Sequence, residues 1–206
     1  MEIRLTNLGK RFRKDWIFRN LNLTLSDRNS YAITGHNGSG KSTLLKVISG
    51  FIPATAGSVS YFRNAAPIDP GLFYKDIVYV APYMELVEEF TLMEMLQFHF
   101  RFKKLRLDCQ LPQIIDDIGL THSAGKPLHD FSSGMKQRVK LALAFYSDVE
   151  VVFLDEPAVN LDSQGFRWYL EQAEKMLSGR LCLIASNQKS EYEWASHAIS
   201  MEDYKI

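Results

Sequence analysis

A chain of 206 residues, of which 46% are hydrophobic, is long enough for one large domain or for a core that carries a small subdomain. Its formal net charge of zero gives no sign of a nucleic-acid-binding surface, and its two cysteines suit a reducing compartment rather than a disulfide framework. The N-terminal residues lack the apolar region of a signal peptide, and no apolar run approaches the ~20 residues that span a bilayer. We therefore expect a cytosolic protein, for which attachment to a membrane through a partner stays open.

Two segments near the N-terminus have the pattern of half-buried strands. Residues 3–8 and residues 21–25 alternate apolar and polar side chains. Between them, residues 10–14 form a basic turn around Phe12. This turn has two interpretations: a solvated hairpin tip, or an aromatic side chain that stacks on a nucleotide base while the charges lie near phosphate.

Residues 35–42 match G-x-x-x-x-G-K-[ST], the pattern of the phosphate-binding loop. Glycines let the backbone curl tightly and direct its N–H groups at an anion, Lys41 supplies a charge for the β- and γ-phosphates, and Ser42 offers a hydroxyl to Mg²⁺. The apolar run 31–34 predicts a buried strand before the loop, and residues 43–49 predict a helix whose positive end faces the phosphates. The predicted nucleotide-binding residues here are Gly35, His36, Asn37, Gly38, Ser39, Gly40, Lys41, Ser42 and Thr43.

The middle of the chain predicts two short strands and a helix with an unusual apolar content. Strands are expected at residues 58–62 and 77–81, with a loop at 65–73 and with Pro82 ending the second strand. Thr91 and Glu94 form a capping-box pattern at the start of the helix. That helix is apolar on nearly all sides, which indicates either a docking surface or a helix sandwiched inside a subdomain.

The second half contains another candidate anion site and a pair of acidic residues. Ser132, Ser133 and Gly134 begin a helix, where hydroxyls and free N–H groups can bind an anion or simply cap the helix. Residues 150–156 predict a buried strand that ends in Asp155 and Glu156, at the edge where open α/β sheets bind ligands. Asp155 can hold Mg²⁺ through water, and Glu156 can orient or deprotonate an attacking water.

The last part of the chain predicts one more helix and two more strands. Residues 163–177 form an amphipathic helix, residues 181–185 a buried strand followed by Asn187, and residues 198–201 an edge strand. Strands on both sides of the phosphate-loop strand indicate a mixed sheet.

The order of these pieces resembles the ATP-binding subunit of ABC transporters across nearly the whole chain. Residues 35–42 match the Walker A loop, and residues 151–156 match Walker B with its adjacent glutamate. Residues 131–138 resemble the signature that separates this family from other P-loop ATPases. Residues 157–162 resemble the D-loop, with Asp162 retained, and Phe12 falls where the family stacks an aromatic side chain on adenine.

The resemblance implies an α/β fold: a P-loop NTPase with a mixed β-sheet core, an antiparallel β subdomain and an inserted helical subdomain. It implies one ATP-binding domain over residues 1–206, with its core at 1–82 and 135–206 and the helical subdomain at roughly 83–134. ATP and Mg²⁺ are the implied cofactors, with Ser42 and Asp155 near the metal and Glu156 as the catalytic residue.

The family mechanism implies two kinds of protein partner. Two cassettes bind head to tail as an ATP-dependent dimer, formed by a second copy or a homologue, so that Ser132, Ser133 and Gly134 contact the partner's ATP. A separate integral membrane permease docks near the helical subdomain, which implies a cytoplasmic protein peripheral to the cell membrane. Small single cassettes of this kind resemble stand-alone subunits of export ATPases, and no nucleic-acid partner is implied.

The sequence also departs from the family pattern. Pro82 stands at the Q-loop position, where the family has glutamine, and Asn187 stands at the switch position, where it has histidine. Glu156 is intact. Two hypotheses follow: an ATPase that drives a transporter, whose hydrolysis is slow, or a nucleotide-gated regulatory subunit with weak or no ATPase activity. A cassette for translation or DNA repair is a weaker third, because the chain is neutral and has one cassette.

Overall fold

Two units make up residues 1–205, the part of the chain that the computed structural model describes. The first unit comprises Met1–Tyr79, Glu150–Glu156 and Gly179–Ile206. The second unit comprises Val80–Val149 and Pro157–Ser178. The second unit thus includes the whole segment 83–134 that the sequence predicts as a helical subdomain, together with residues 80–82, 135–149 and 157–178, which the family resemblance assigns to the core.

An antiparallel sheet in the first unit contains both strands predicted near the N-terminus. Its spatial order is β2-β1-β4-β5. The strands are β1 (Glu2–Phe12), β2 (Asp15–Ser26), β4 (Ala56–Arg63) and β5 (Ala66–Ile68). A turn at residues 13–14 joins β1 to β2. The basic segment thus spans the end of β1 and this turn: Lys10 is buried, and Phe12, the last residue of β1, is 48% exposed.

A second sheet brings together the strands that flank the predicted site. Its spatial order is β6-β7-β8-β3-β9, and the pairs β7/β8, β3/β8 and β3/β9 are parallel. The strands are β3 (Ser30–Thr34), β6 (Ile77–Val80), β7 (Val151–Asp155), β8 (Leu181–Ala185) and β9 (His197–Ser200). Because β3, β7 and β8 are parallel neighbours, the segments after them emerge at the same edge of the sheet. The antiparallel pairs β1/β2, β1/β4 and β4/β5 lie in the first sheet, and these three parallel pairs lie in the second.

The prediction of a loop at residues 65–73 was wrong. Strand β5 is followed by a 3₁₀ helix, Pro70–Asp76, which Asp69 caps by accepting a hydrogen bond from Gly71 N at 2.8 Å. Phe73 in this helix stacks on Tyr61 with ring centroids 3.7 Å apart. The Tyr61 hydroxyl donates to Ile48 O at 2.9 Å, and burial raises the pKa of Tyr61 to about 12. A long-range aromatic contact therefore orders a segment whose prolines and glycine indicate a loop.

Four α-helices are described in the second unit: α2 (Leu92–Phe102), α3 (Leu111–Asp117), α4 (Ser133–Phe145) and α5 (Ser163–Leu177). The predicted capping box of α2 is confirmed. Thr91 Oγ1 accepts from Glu94 N at 3.3 Å, and Glu94 Oε2 accepts from Thr91 N at 2.8 Å. Helix α5 has the predicted bounds, and Asp162 caps it by accepting from Gly165 N at 2.7 Å.

The apolar side chains of α2 include a buried face and an exposed aromatic pair, and Met93 and Phe100 are half-buried. Leu92, Met95 and Leu96 are buried in the second unit. Phe98 and Phe102 are 38% and 74% exposed and contact each other edge to face, with centroids 5.2 Å apart. None of the described helices combines the length and the apolar character that crossing a membrane requires.

Candidate nucleotide-binding site

The phosphate loop connects β3 to helix α1 (Lys41–Ile48) through a backbone that only glycine adopts freely. Gly38 and Gly40 have φ angles of 79° and 103°, in the left-handed region. A Cβ atom on Gly40 would overlap the Cγ2 atom of Ile17 in β2. Gly40 therefore lets the loop lie directly against β2 at the N-terminus of α1, where backbone N–H groups favour an anion.

Lys41 and Ser42, the residues predicted to contact phosphate and metal, both make hydrogen bonds at the loop. Lys41 Nζ is buried and donates to Gly35 O at 2.9 Å and to His36 O at 3.2 Å. Ser42 Oγ donates to Asp155 Oδ1 at 2.8 Å. The Oγ atom of Ser39 is buried and has no hydrogen-bond partner among residues 1–205. The ammonium of Lys41 is thus bonded only to neutral backbone carbonyls in these two contacts. The buried Ser39 hydroxyl is able to form a hydrogen bond with a ligand.

The carboxyl end of β7 carries two acids in different surroundings. Asp155 is buried, and its Oδ2 accepts from the Tyr79 hydroxyl at 3.3 Å. Glu156 has a φ angle of 45°, and its N–H donates to Ala185 O at 2.8 Å. A positive φ is unfavourable for glutamate by about 1 kcal/mol or more. The neighbouring strand β8 therefore holds Glu156 in a strained turn that brings its side chain to the phosphate loop.

A cavity of about 240 Å³ lies where these segments meet. Its walls are formed by Ile17, Asn37, Gly38, Ser39, Gly40, Lys41, Ser42, Thr43 and Glu156. Ile17 is the one wall residue that the sequence did not indicate, because only the packing of β2 on the loop brings it there. Phe12 is not among the wall residues, and its contact with a base stays a prediction.

Asn187, at the predicted switch position, follows β8 and lies beside the phosphate loop. Its Nδ2 atom donates to Asn37 Oδ1 at 3.0 Å. Both side chains are exposed. Asn187 is therefore adjacent to the residues that form the cavity, although it is not part of the cavity wall.

The predicted signature residues begin helix α4 in the second unit. Ser132 is the N-cap, and its Oγ accepts from Met135 N at 3.3 Å. A Cβ atom on Gly134 would lie 2.6 Å from Asn160 O, so the close approach of the segment after Pro157 requires glycine there. Ser133 is exposed. Ser132 and Gly134 thus have local structural roles, whatever they bind.

Pro82, at the Q-loop position, occupies the second position of a turn. Met84 N donates to Ala81 O at 3.2 Å, a turn in which proline at this position is favoured. Lys140 Nζ, from helix α4, donates to Pro82 O at 3.0 Å. Partial burial and the charge of Lys136 lower the pKa of Lys140. A backbone carbonyl, rather than a side-chain amide, is therefore the polar group that residue 82 offers.

The fold and the phosphate loop define a P-loop nucleotide-binding protein of the ABC cassette type, with antiparallel and parallel sheets as predicted. A family model described as ABC transporter matches residues 18–159. The chain belongs to the ABC transporter family and is one of its ATP-binding subunits. The resemblance inferred from the motifs is confirmed.

Known proteins show the same relationship. The chain is 29% identical over 192 residues to the uncharacterized ABC transporter ATP-binding protein YybJ of Bacillus subtilis, covering 92% of this chain and 87% of that protein. It is 28% identical over 184 residues to the human retinal-specific phospholipid-transporting ATPase ABCA4, covering 88% of this chain but 8% of that protein.

A solved structure has the same fold at lower identity. The dimeric ATP-binding cassette MJ0796, bound to ADP and Pi in a post-hydrolysis state, has a TM-score of 0.83 and 20% identity to this chain. The match covers 99% of this chain and 96% of that one. At this identity the likeness shows the fold alone.

The position of Lys41 leads to a direct test of nucleotide binding. We expect Lys41→Ala to weaken MgATP binding at least about tenfold, because it removes a charge-assisted contact worth about 2–3 kcal/mol. Calorimetric titration measures the affinity. Lys46→Ala, which removes the same charge from the same helix but lies outside the cavity wall, is expected to keep the parent affinity. Equal affinity of Lys41→Ala and the parent would reject the loop as the site.

Proposed function

We propose that this chain binds MgATP and hydrolyses it to power transport of a substrate through a separate membrane permease. The observation that carries the proposal is the cavity whose wall includes Lys41, Ser42 and Glu156, with Ser42 bonded to Asp155. A cation, a metal-binding hydroxyl and a carboxylate beside a phosphate loop are the groups that phosphoryl transfer to water requires.

The loop residues fit the phosphate chain of ATP. Lys41 Nζ bonds two neutral backbone carbonyls, and a phosphate oxygen would be a stronger, charge-assisted acceptor. The unpartnered Ser39 hydroxyl and the loop N–H groups add donors at the same place. The open backbone at Gly38, where an added Cβ atom would meet nothing within 4 Å, leaves room for close approach. The proposed nucleotide contacts are therefore those of the predicted loop residues.

The bonded pair Ser42 and Asp155 fits a magnesium site. Mg²⁺ usually takes one or two protein oxygens and completes its shell with water and phosphate oxygens. Ser42 Oγ and the Asp155 carboxylate supply such oxygens at 2.8 Å from each other. We assign both residues to the metal, with Asp155 acting directly or through water.

Glu156 is the proposed catalytic residue. Bound MgATP would supply the γ-phosphoryl group that is transferred to water. The Glu156 carboxylate, at the cavity wall, is placed to orient that water or to take its proton.

We further propose that ATP joins two cassettes, either two copies of this chain or this chain and a homologue. In such a dimer Ser132, Ser133 and Gly134 contact the partner's nucleotide, and Asp162 lies in the D-loop. The exposed start of the 13-residue helix α4 supports this role, because its first N–H groups favour an anion. The dimeric state described for the MJ0796 cassette, which shares the fold, also supports it.

The exposed phenylalanine pair on α2 is the proposed contact with a permease on the cytoplasmic face of the membrane. Phe98 and Phe102 form an aromatic surface in the C-terminal half of α2, a helix whose residues Leu92, Met95 and Leu96 are buried. Met95, another apolar residue of α2, belongs to the core and is not part of this surface. The name of the YybJ relative, an ABC transporter ATP-binding protein, supports a permease partner.

A second candidate function is a nucleotide-gated regulatory subunit with weak or no ATPase activity. Pro82 and Asn187 favour it, because neither supplies the side chain that the family uses at those positions. Glu156 in the cavity wall favours the ATPase. We therefore propose an ATPase whose basal hydrolysis is slow.

Replacement of the proposed catalytic carboxylate separates binding from chemistry. Glu156→Gln is expected to lower the turnover of MgATP by about 10²–10⁴, because it removes the general base. Lys41, Ser42 and Asp155 remain, so MgATP should still bind and hold a dimer that light scattering detects. Glu193→Gln, an exposed glutamate of the same unit, is the matched control. Phosphate release at the parent rate in Glu156→Gln would exclude Glu156 as the catalytic group.

Restoring histidine at residue 187 tests the slow turnover. An amide is shorter than an imidazole and cannot become cationic, and a lost transition-state contact costs about 10²–10³ in rate. Asn187→His should raise turnover more than about tenfold, with Asn187→Ala as the control for loss of the bond to Asn37. A double variant that combines Asn187→His with Pro82→Gln tests both departures from the family pattern together. Rapid hydrolysis by the parent would show that another residue fills the role.

A charge placed in the aromatic surface tests permease docking. Phe102→Asp should release the protein from membranes of the source cell while MgATP binding survives, because an apolar contact would then bury a charge. Leu107→Asp places the same charge at a fully exposed leucine of the same unit and serves as the control. Equal sedimentation of both variants with membranes would contradict docking at Phe102.

A further inference from the structure

The 3₁₀ helix Met201–Tyr204 packs against the phosphate loop at its glycines. Met201 is fully buried. A Cβ atom on Gly35 would lie 3.3 Å from Met201 Cβ, and one on Gly40 would lie 3.4 Å from Met201 Cε. The methionine therefore fills the space that two loop glycines leave, and it brings the polar residues of the same turn beside the loop.

Two of those polar residues hold the side chain of His36. Glu202 Oε1 lies 2.7 Å from His36 Nδ1, and Lys205 Nζ lies 2.9 Å from His36 Nε2. A lysine ammonium has only donors, so Nε2 must accept and Nδ1 must carry the proton that it donates to Glu202. Both ring nitrogens are thus used, which fixes the tautomer and the orientation of the ring.

The backbone of His36 connects this side chain to the binding machinery. His36 O accepts from Ser39 N at 3.0 Å and from Lys41 Nζ at 3.2 Å. The carbonyl of His36 thus closes the first turn of the loop and is one of the two hydrogen-bond acceptors of Lys41 Nζ. A shift of the His36 backbone would move the carbonyl that accepts from the ammonium of Lys41.

These polar contacts contribute little to the stability of the fold. The side chains of His36 and Glu202 are 61% and 48% exposed, and exposed pairs of this kind are weak. Met201, by contrast, is buried and holds the turn in place without them. The effect of the pair therefore falls on the position of the loop rather than on folding.

We propose that Glu202 and Lys205 are positioning residues for the phosphate loop, and that they act through His36 on the binding of the nucleotide phosphates. The inference rests on the proposed function, since it assumes that this loop binds MgATP. It assigns a role to a part of the chain about 165 residues beyond the loop, which no motif indicated.

The test measures calorimetric MgATP affinity and thermal unfolding of the full chain. Glu202→Ala should raise the Kd for MgATP roughly twofold to fivefold, the range that loss of an exposed charged pair can produce, with the melting temperature unchanged. Asp203→Ala removes the same charge from the same exposed turn and should bind as the parent does. Glu202→Gln keeps an acceptor for the Nδ1–H group and should restore most of the affinity. Lys205→Ala should weaken binding like Glu202→Ala, and it replaces that variant if the latter unfolds.

A double-mutant cycle with His36→Ala distinguishes positioning through His36 from a general effect on the turn. In the His36→Ala background, Glu202→Ala should have no further effect on affinity, because the side chain through which it acts is gone. Fully additive effects, or equal affinities of Glu202→Ala and Asp203→Ala, would overturn the inference while Lys41→Ala still defines the loop as the site. Absence of MgATP binding by the parent chain would overturn the proposed function and this inference together.

Discussion

Parallel pairing of β3, β8 and β7 is the constraint on which the site depends. In this register Ala185 lies between Ile33 and Asp155, so that the ends of three strands meet at one edge. The hydrogen bond from Ser42 to Asp155 crosses 113 positions of sequence and forms only because of that register. A shift of β7 by one residue would turn Asp155 to the other face of the sheet and would remove the bond.

The site contains backbone conformations and close contacts that are locally unfavourable, and the surrounding structure stabilises them. Glu156 has a positive φ angle, and Gly40 lies so close to Ile17 that no side chain fits there. Each of these two features costs free energy by itself. The hydrogen bond from Glu156 N to Ala185 O and the packing of β2 on the loop offset that cost. The consequence is a cavity whose wall residues are held in defined positions by the strands around it.

The phosphate loop is held from several sides by contacts of different kinds. Lys41 bonds the carbonyls within the loop, Asn187 reaches Asn37, and the turn at Met201 reaches the glycines and His36. The buried contacts set where the loop lies, and the exposed polar contacts can exchange with water or a ligand at little cost. Binding and release can thus alter the exposed contacts without disturbing the core.

The sequence by itself determined the parts of this protein that depend on near neighbours. The phosphate loop, the capping box of α2 and the bounds of α5 were all predicted, because glycine torsions, caps and helical periodicity act within a few residues. The tertiary structure alone decided that Phe73 stacks on Tyr61 and orders a segment predicted as loop, that Ile17 lines the cavity, and that Met95 lies in the core. It also decided that Glu202 and Lys205 hold His36. The physical reason is that such contacts join residues far apart in sequence, and no local pattern records which strand or turn packs on which.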